Sequence, residues 1–166
     1  MSLEQINKAS EVQAYSIFES CCCAPNWVNQ MIKARPFNDA VSLLKVSQNI
    51  FLQLTEQDYL KAFTGHPQIG NLATLHKKYA NTSSTASHEQ SGMSSAEKEV
   101  LEEMVELNQI YLQKFGFIFI VCASGKSALQ MLELIKSRIG NERLYELKIA
   151  SDEQVKITTL RLEKLL

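Results

Sequence analysis

Apolar residues recur every three to four positions along most of this chain, the spacing of one buried helical face after another. Ser10 with Gln13 three residues on reads as a capping box and opens a helix reaching about Cys22. Pro25 suits a first helical turn, and Trp27, Val28, Met31 and Ile32 form the stripe of a helix that should stop at Arg35-Pro36. Asn38 or Asp39 caps the next helix, whose apolar positions are Val41, Leu44, Ile50, Phe51 and Leu54. Thr55 caps a short helix over Glu56 to Phe63, and Asn71 to Tyr79 fits another. Ser94 with Glu97 opens a long helix to about Phe115 that carries Leu101, Met104, Val105 and Leu107 and ends at Gly116. Ser127 to Arg138 is helical and stopped by Gly140; Asn141 to Leu166 is helical with a break expected near Ser151-Asp152.

Two segments depart from the helical period. Asn81 to Ser95 is rich in Ser, Thr and Ala but contains His88-Glu89-Gln90 between structured flanks, so it reads as a functional loop. Phe117 to Ala123 is a continuous apolar run that would pass for a buried strand, yet nothing else in the chain offers it a partner. It is expected to be a buried extended segment or part of a helix. The pattern as a whole predicts an all-α fold in a single domain over residues 1–166, a length that suffices for a real core.

Composition narrows the function by exclusion. With 17 basic and 18 acidic residues the formal charge is -1, which gives no electrostatic case for nucleic acid or an anionic membrane surface. No apolar run approaches the ~18 residues of a membrane span. The N-terminal Met1-Ser2-Leu3-Glu4-Gln5 lacks a signal-peptide pattern, so a cytoplasmic location is the expectation. Cys21, Cys22 and Cys23 are consecutive and Cys122 is isolated, which suits neither a disulfide framework nor a zinc site. The three consecutive cysteines read as small, mostly buried residues near a helix end. His66, His76 and His88 are too scattered to suggest a metal site.

Candidate chemistry centres on Gly65-His66-Pro67-Gln68-Ile69-Gly70. Pro67 biases the residue before it away from helix, so His66 should sit on a stiff turn past a helix end, where its ring can exchange a proton near neutral pH. The plainer reading is a helix-stopping turn with a surface histidine. Glu89-Gln90 pairs a carboxylate with a carboxamide, able to bind one polar ligand or to sit as an ordinary solvated loop. Ala123-Ser124-Gly125 leaves backbone amides ahead of the next helix, suited to carbonyl or carboxylate oxygens. Arg161 lines up with Ile157 and Leu165 and either snorkels outward or points into a pocket, where a guanidinium holds carboxylate or carbonyl oxygens well.

In order along the chain, Arg35-Pro36-Phe37, His66-Pro67-Gln68-Ile69-Gly70, Glu89-Gln90 followed by Gly92, the run Asn108, Tyr111, Lys114-Phe115-Gly116-Phe117 with Cys122-Ala123, and Arg161-Leu162 resemble one family. It is the 2-oxo-4-hydroxy-4-carboxy-5-ureidoimidazoline (OHCU) decarboxylase family, which acts last on the route from urate to (S)-allantoin. The resemblance implies an all-helical, cofactor-free homodimer, with His66, Glu89 and Arg161 as catalytic residues. It implies substrate contacts from Pro67, Ser87, Gln90 and the backbone of Ile118, Ile120, Val121, Cys122 and Ala123, with Gln68 and the loop around Thr85 as secondary candidates. Many members have Ser three residues before the Glu, where this chain has Ala86 beside Ser87; either the loop shifts by one residue or a hydroxyl contact is absent. The implied reaction is decarboxylation of a small ureidoimidazoline. The alternatives are a catalytically silent helical interaction domain of the same fold and a decarboxylase of a related ureido acid.

Overall fold

The computed structural model describes residues 1–67 and 95–166. Among them the fold is all-α: α1 (Leu3–Lys8), α2 (Glu11–Cys21), α3 (Pro25–Lys33), α4 (Ala40–Phe51), α5 (Glu56–Phe63), α6 (Ser95–Phe115), α7 (Ala128–Arg138) and α8 (Arg143–Leu165). The expected helix at Asn71 to Tyr79, the serine-rich loop, and the Ser94 cap lie outside the described residues.

Local chemistry sets most of the helix starts. Ser10, Asp39, Thr55 and Ser127 each accept a hydrogen bond from the backbone amide three residues on, whose own side chain bonds back to the cap. Pro25 occupies the first turn of α3. The short α1 has no counterpart among the sequence expectations: it is opened by a Ser2–Gln5 capping box but buries only Ile6, too few apolar positions to show a period. The expected break near Ser151-Asp152 is absent, and α8 runs unbroken through it. Ser-Asp resembles a cap in sequence, but Ser151 is buried and lies on an inward helical face. Val41, expected among the apolar positions of α4, is 73% exposed; Leu43, Ile50 and Phe51 carry that helix's buried face.

The described chain forms two compact units. The first comprises residues 1–66, 120–122 and 149–166. Within it α3 packs against α2, α4 and α5. Its core joins Ile6, Phe18, Trp27, Met31, Leu43, Phe51 and Leu162. A run of ring contacts crosses this core, from Phe18 to Trp27 (6.1 Å between centroids), Phe51 (5.7 Å), Tyr59 (6.0 Å) and Phe63 (6.4 Å). It ends on the last turn of α5, three residues before His66. The peptide bond between Arg35 and Pro36 is cis. The Arg35 guanidinium donates to the carbonyls of Ala9 (2.6 Å), Ile6 (3.1 Å) and Ile32 (3.2 Å), satisfying orphan carbonyls where α1 and α3 end. Asn7 bonds both the amide and the carbonyl of Phe37. Arg35-Pro36-Phe37 is therefore a structural clamp.

Among the described residues the second unit comprises residues 67, 95–119 and 123–148. Here α6 packs on α7 around Leu101, Met104, Tyr111, Phe115, Met131, Leu132 and Ile135, all buried. Gly116, at φ +78°, turns the chain out of α6 in the left-handed conformation that glycine adopts without penalty. Fully buried Glu146 binds Arg138 through Nε (2.7 Å) and Nη2, Asn141 (2.7 Å), and the Tyr111 hydroxyl, which donates to it. The Arg138 guanidinium also lies 4.7 Å from the centre of the Phe119 ring. The family-like run from Asn108 to Phe117 thus serves as an anchor: Tyr111 holds the buried carboxylate, and Lys114 donates to the Ile139 carbonyl beyond α7.

The apolar run 117–123 is neither helix nor strand. Phe117, Phe119 and Ile120 are buried, and Ile118, Val121, Cys122 and Ala123 are half-buried. Among the described residues no helix is long and apolar enough to cross a membrane.

Candidate active site

His66 is placed by the way α5 ends. The amides of Thr64, Gly65 and His66 bond in turn to the carbonyls of Lys61, Ala62 and Phe63, a tightened winding that carries the chain past the helix. Gly65 permits it: a Cβ there would meet the Cys23 sulfur at 2.6 Å. That thiol is engaged with the same turn, donating to the carbonyl of Lys61 (3.2 Å). His66 therefore sits on a stiff turn just beyond a helix, half-buried.

The ring is held from α8. His66 Nε2 lies 2.7 Å from the side-chain carbonyl Oε1 of Gln154. Gln154 in turn donates through Nε2 to the Thr158 hydroxyl at 3.1 Å. Gln154 and Thr158 are both fully buried. Arg161 follows on the same face of α8 and donates through Nη1 to the carbonyl of Cys21 at 3.0 Å, closing an orphan carbonyl at the end of α2. Of its two sequence readings, outward snorkelling does not hold: the guanidinium turns back to the backbone of its own unit. Ser151, Gln154, Thr158 and Arg161 step by three and four residues, so they share one helical face.

Burial is the main reason that the His66 ring binds its proton less readily than an ordinary histidine; the Gln154 carbonyl opposes this and the Arg161 charge adds to it. The ring is thus neutral at pH 7. Burial also pushes the Cys22 thiol up to about 12, so this thiol is not a nucleophile. Cys21 is raised for the same reason. All four cysteines are free, and the reading of Cys21 and Cys22 as small buried residues at a helix end fits: α2 stops at Cys21 and both are buried.

The backbone amide of Cys122, expected to face substrate, donates to Glu153 Oε2 at 2.7 Å. The other Glu153 oxygen accepts from Lys156 at 2.6 Å. Glu153 thus ties residues 120–122 to α8 within the first unit. Of the remaining expected contacts, Pro67, Ile118 and Ala123 belong to the second unit; Ser87, Glu89, Gln90 and the Ala86 departure lie outside the described residues. The structure therefore brings His66 and Arg161 within reach of each other and adds Gln154 and Thr158 beside the ring, while Glu153 serves Cys122. Among the described residues no cluster of three His, Cys, Asp or Glu side chains could hold a metal ion.

The chain is similar to known proteins over most of its length. The Uric acid degradation bifunctional protein TTL of Arabidopsis thaliana is 37% identical over 147 residues, covering 87% of this chain and 45% of that protein. The 2-oxo-4-hydroxy-4-carboxy-5-ureidoimidazoline decarboxylase of Halalkalicoccus jeotgali is 24% identical over 166 residues, covering 99% of this chain and 92% of that one. The chain spans less than half the length of the bifunctional relatives that it matches. A crystal structure of OHCU decarboxylase in the presence of (S)-allantoin superposes with a TM-score of 0.73 at 34% identity, over 95% of this chain and 98% of that chain. The OHCU decarboxylase family model matches residues 7–163, so the chain belongs to the OHCU decarboxylase family.

Proposed function

We propose that this chain is a carboxy-lyase that converts 2-oxo-4-hydroxy-4-carboxy-5-ureidoimidazoline to (S)-allantoin and CO2 in urate degradation. The observation that carries the reading is the half-buried His66 ring, fixed at Nε2 by Gln154, with burial and the Arg161 charge lowering its proton affinity. Loss of CO2 leaves an electron pair on the ring carbon that held the carboxylate. The adjacent C=N bond of the substrate takes up that pair, so the reaction requires no external electron sink. A proton must then be delivered to one face of the ring.

His66 acts as the general acid, or stabilises the charge that develops. It is neutral in the free protein, and the negative charge of bound substrate raises its proton affinity so that the complex holds the proton. Arg161 retains donors beyond the one given to Cys21, and these hold ring and ureido oxygens in the reactive orientation. Glu89 accepts a hydrogen bond from the substrate hydroxyl and places negative charge near the departing carboxylate. Pro67, Ser87, Gln90 and the backbone from Ile118 to Ala123 complete the contacts. The enzyme works as one domain, without cofactor, as a cytoplasmic homodimer; sedimentation of the purified chain tests the dimer.

The reaction is tested by circular dichroism, with the unstable substrate generated in place from urate by urate oxidase and hydroxyisourate hydrolase. The expected result is a fast (S)-allantoin signal that needs the protein and falls by at least about 100-fold in His66→Asn, the scale of a lost general acid. Slow racemic decay, indifferent to added protein, would remove the decarboxylase.

A further inference from the structure

A neutral imidazole carries one proton on either of two nitrogens, and which one decides what the ring can offer a substrate. His66 Nε2 faces the Oε1 atom of Gln154, a carbonyl oxygen that can only accept. The orientation of that amide follows from its second partner, Thr158, which accepts from its nitrogen. The Thr158 hydroxyl also lies against the Cys22 thiol, and a hydroxyl is the stronger donor of the two. With its single proton directed there, its oxygen accepts from the Gln154 amide nitrogen at 3.1 Å. The Gln154 carbonyl is then left for His66, and the Nε2 atom of the histidine must carry the proton. Both Gln154 and Thr158 are fully buried, so water does not reach the bond between them, and the bond to His66 is shielded on the Gln154 side.

We propose that Gln154 is a positioning residue of the site: its buried side-chain carbonyl, backed by Thr158, holds His66 in the Nε2–H form and leaves Nδ1 as the nitrogen that exchanges a proton with substrate. The choice of Nδ1 for the chemistry rests on the decarboxylase reading; the tautomer itself does not. Gln154 does not touch the reacting atoms. Its effect is exerted through the ring, by excluding the other tautomer and by fixing the ring plane.

The test is a long-range 1H–15N correlation spectrum of the full, 15N-labelled chain above the titration of the ring, with His66 assigned by its disappearance in His66→Asn. The wild-type chain should show the Nε2–H pattern. Gln154→Leu removes the acceptor and should give a mixture of tautomers. Its kcat should fall about tenfold or more, since part of a general acid's contribution is lost, while KM moves less than about threefold. Gln154→Glu keeps an acceptor oxygen and should restore the Nε2–H pattern. Its new charge joins Arg161, the charged group already acting on the ring, and should move the His66 titration to higher pH. An Nδ1–H pattern in the wild-type chain, or a Gln154→Leu chain with unchanged tautomer and unchanged kcat, overturns the proposal. The spectrum needs no substrate, so a wild-type chain that shows the Nε2–H pattern but forms no (S)-allantoin removes the decarboxylase reading and upholds the tautomer.

Discussion

At the scale of single residues, His66 is governed by where its proton affinity lies. Burial and Arg161 hold it below the ordinary histidine value of 6.5. If the protonated ring is the acid, kcat/KM, which reports the free protein, should decline as pH rises through a value below 6.5. The decline in kcat should come at higher pH, because bound negative charge raises the ring's affinity. Initial rates over about pH 5 to 8 check this; coincident declines would show that substrate does not recharge the ring. The same depression bears on folding. The unfolded chain binds the proton more readily, so this histidine's contribution to stability is present above 6.5 and is lost as pH falls through the lower folded value. Gly65 matters for a different reason. Gly65→Ala drives a methyl group into the Cys23 sulfur and should destabilise by about 1–3 kcal/mol, as overpacking does. In a Cys23→Ala background the loss should largely vanish, and denaturant midpoints of the four chains measure it. An equal loss in both backgrounds would show that the sulfur is not the obstacle.

At the scale of elements, the helices are legible in the sequence where their signals are local. Ser10, Asp39, Thr55 and Ser127 are caps whose partner lies three residues away, so the sequence displays both halves. His66 past the end of α5 is legible for the same reason, from Pro67 beside it. The inner face of α8 is not. Ser151, Gln154 and Thr158 are polar, and polar positions read as solvent-facing until a partner is known. Their spacing of three and four residues, continued by Arg161, is the available signal. It becomes informative only when buried polar groups are counted as a face in their own right. The ion pair beneath α6 and α7 is equally hidden, since Tyr111, Arg138 and Glu146 come from separate elements. Arg138→Met leaves the Glu146 charge buried without its main partner and should cost about 3–5 kcal/mol in urea unfolding. A loss under about 1 kcal/mol would mark the pair as an exposed-type bridge.

At the scale of the molecule, chain order and spatial order disagree. The first unit draws on three separate stretches, and its last, residues 149–166, carries Gln154 and Glu153, which bind His66 and Cys122. Glu89 and its loop, outside the described residues, come from the middle of the chain. Partners so far apart in sequence leave no periodic trace, so the proposed catalytic set comes from family resemblance and periodicity alone located only helices. A chain stopped after Lys148 should form no (S)-allantoin and should lose cooperative unfolding, because Leu162 leaves the core together with Gln154, Thr158 and Arg161. Retained activity in that truncated chain would contradict the placement of the site.

The dependence of the first unit on its final stretch also has a genetic side. Severity of a stop or frameshift usually falls as the lesion moves toward the end of a gene. A stop placed before Arg161 should not follow that trend: Arg161 is anchored to Cys21 across 140 positions, so residues 149–166 complete a unit begun by residues 1–66. Nonsense alleles between codons 149 and 161 should behave as complete losses of (S)-allantoin formation, while substitutions at exposed positions such as Val12 should pass without effect.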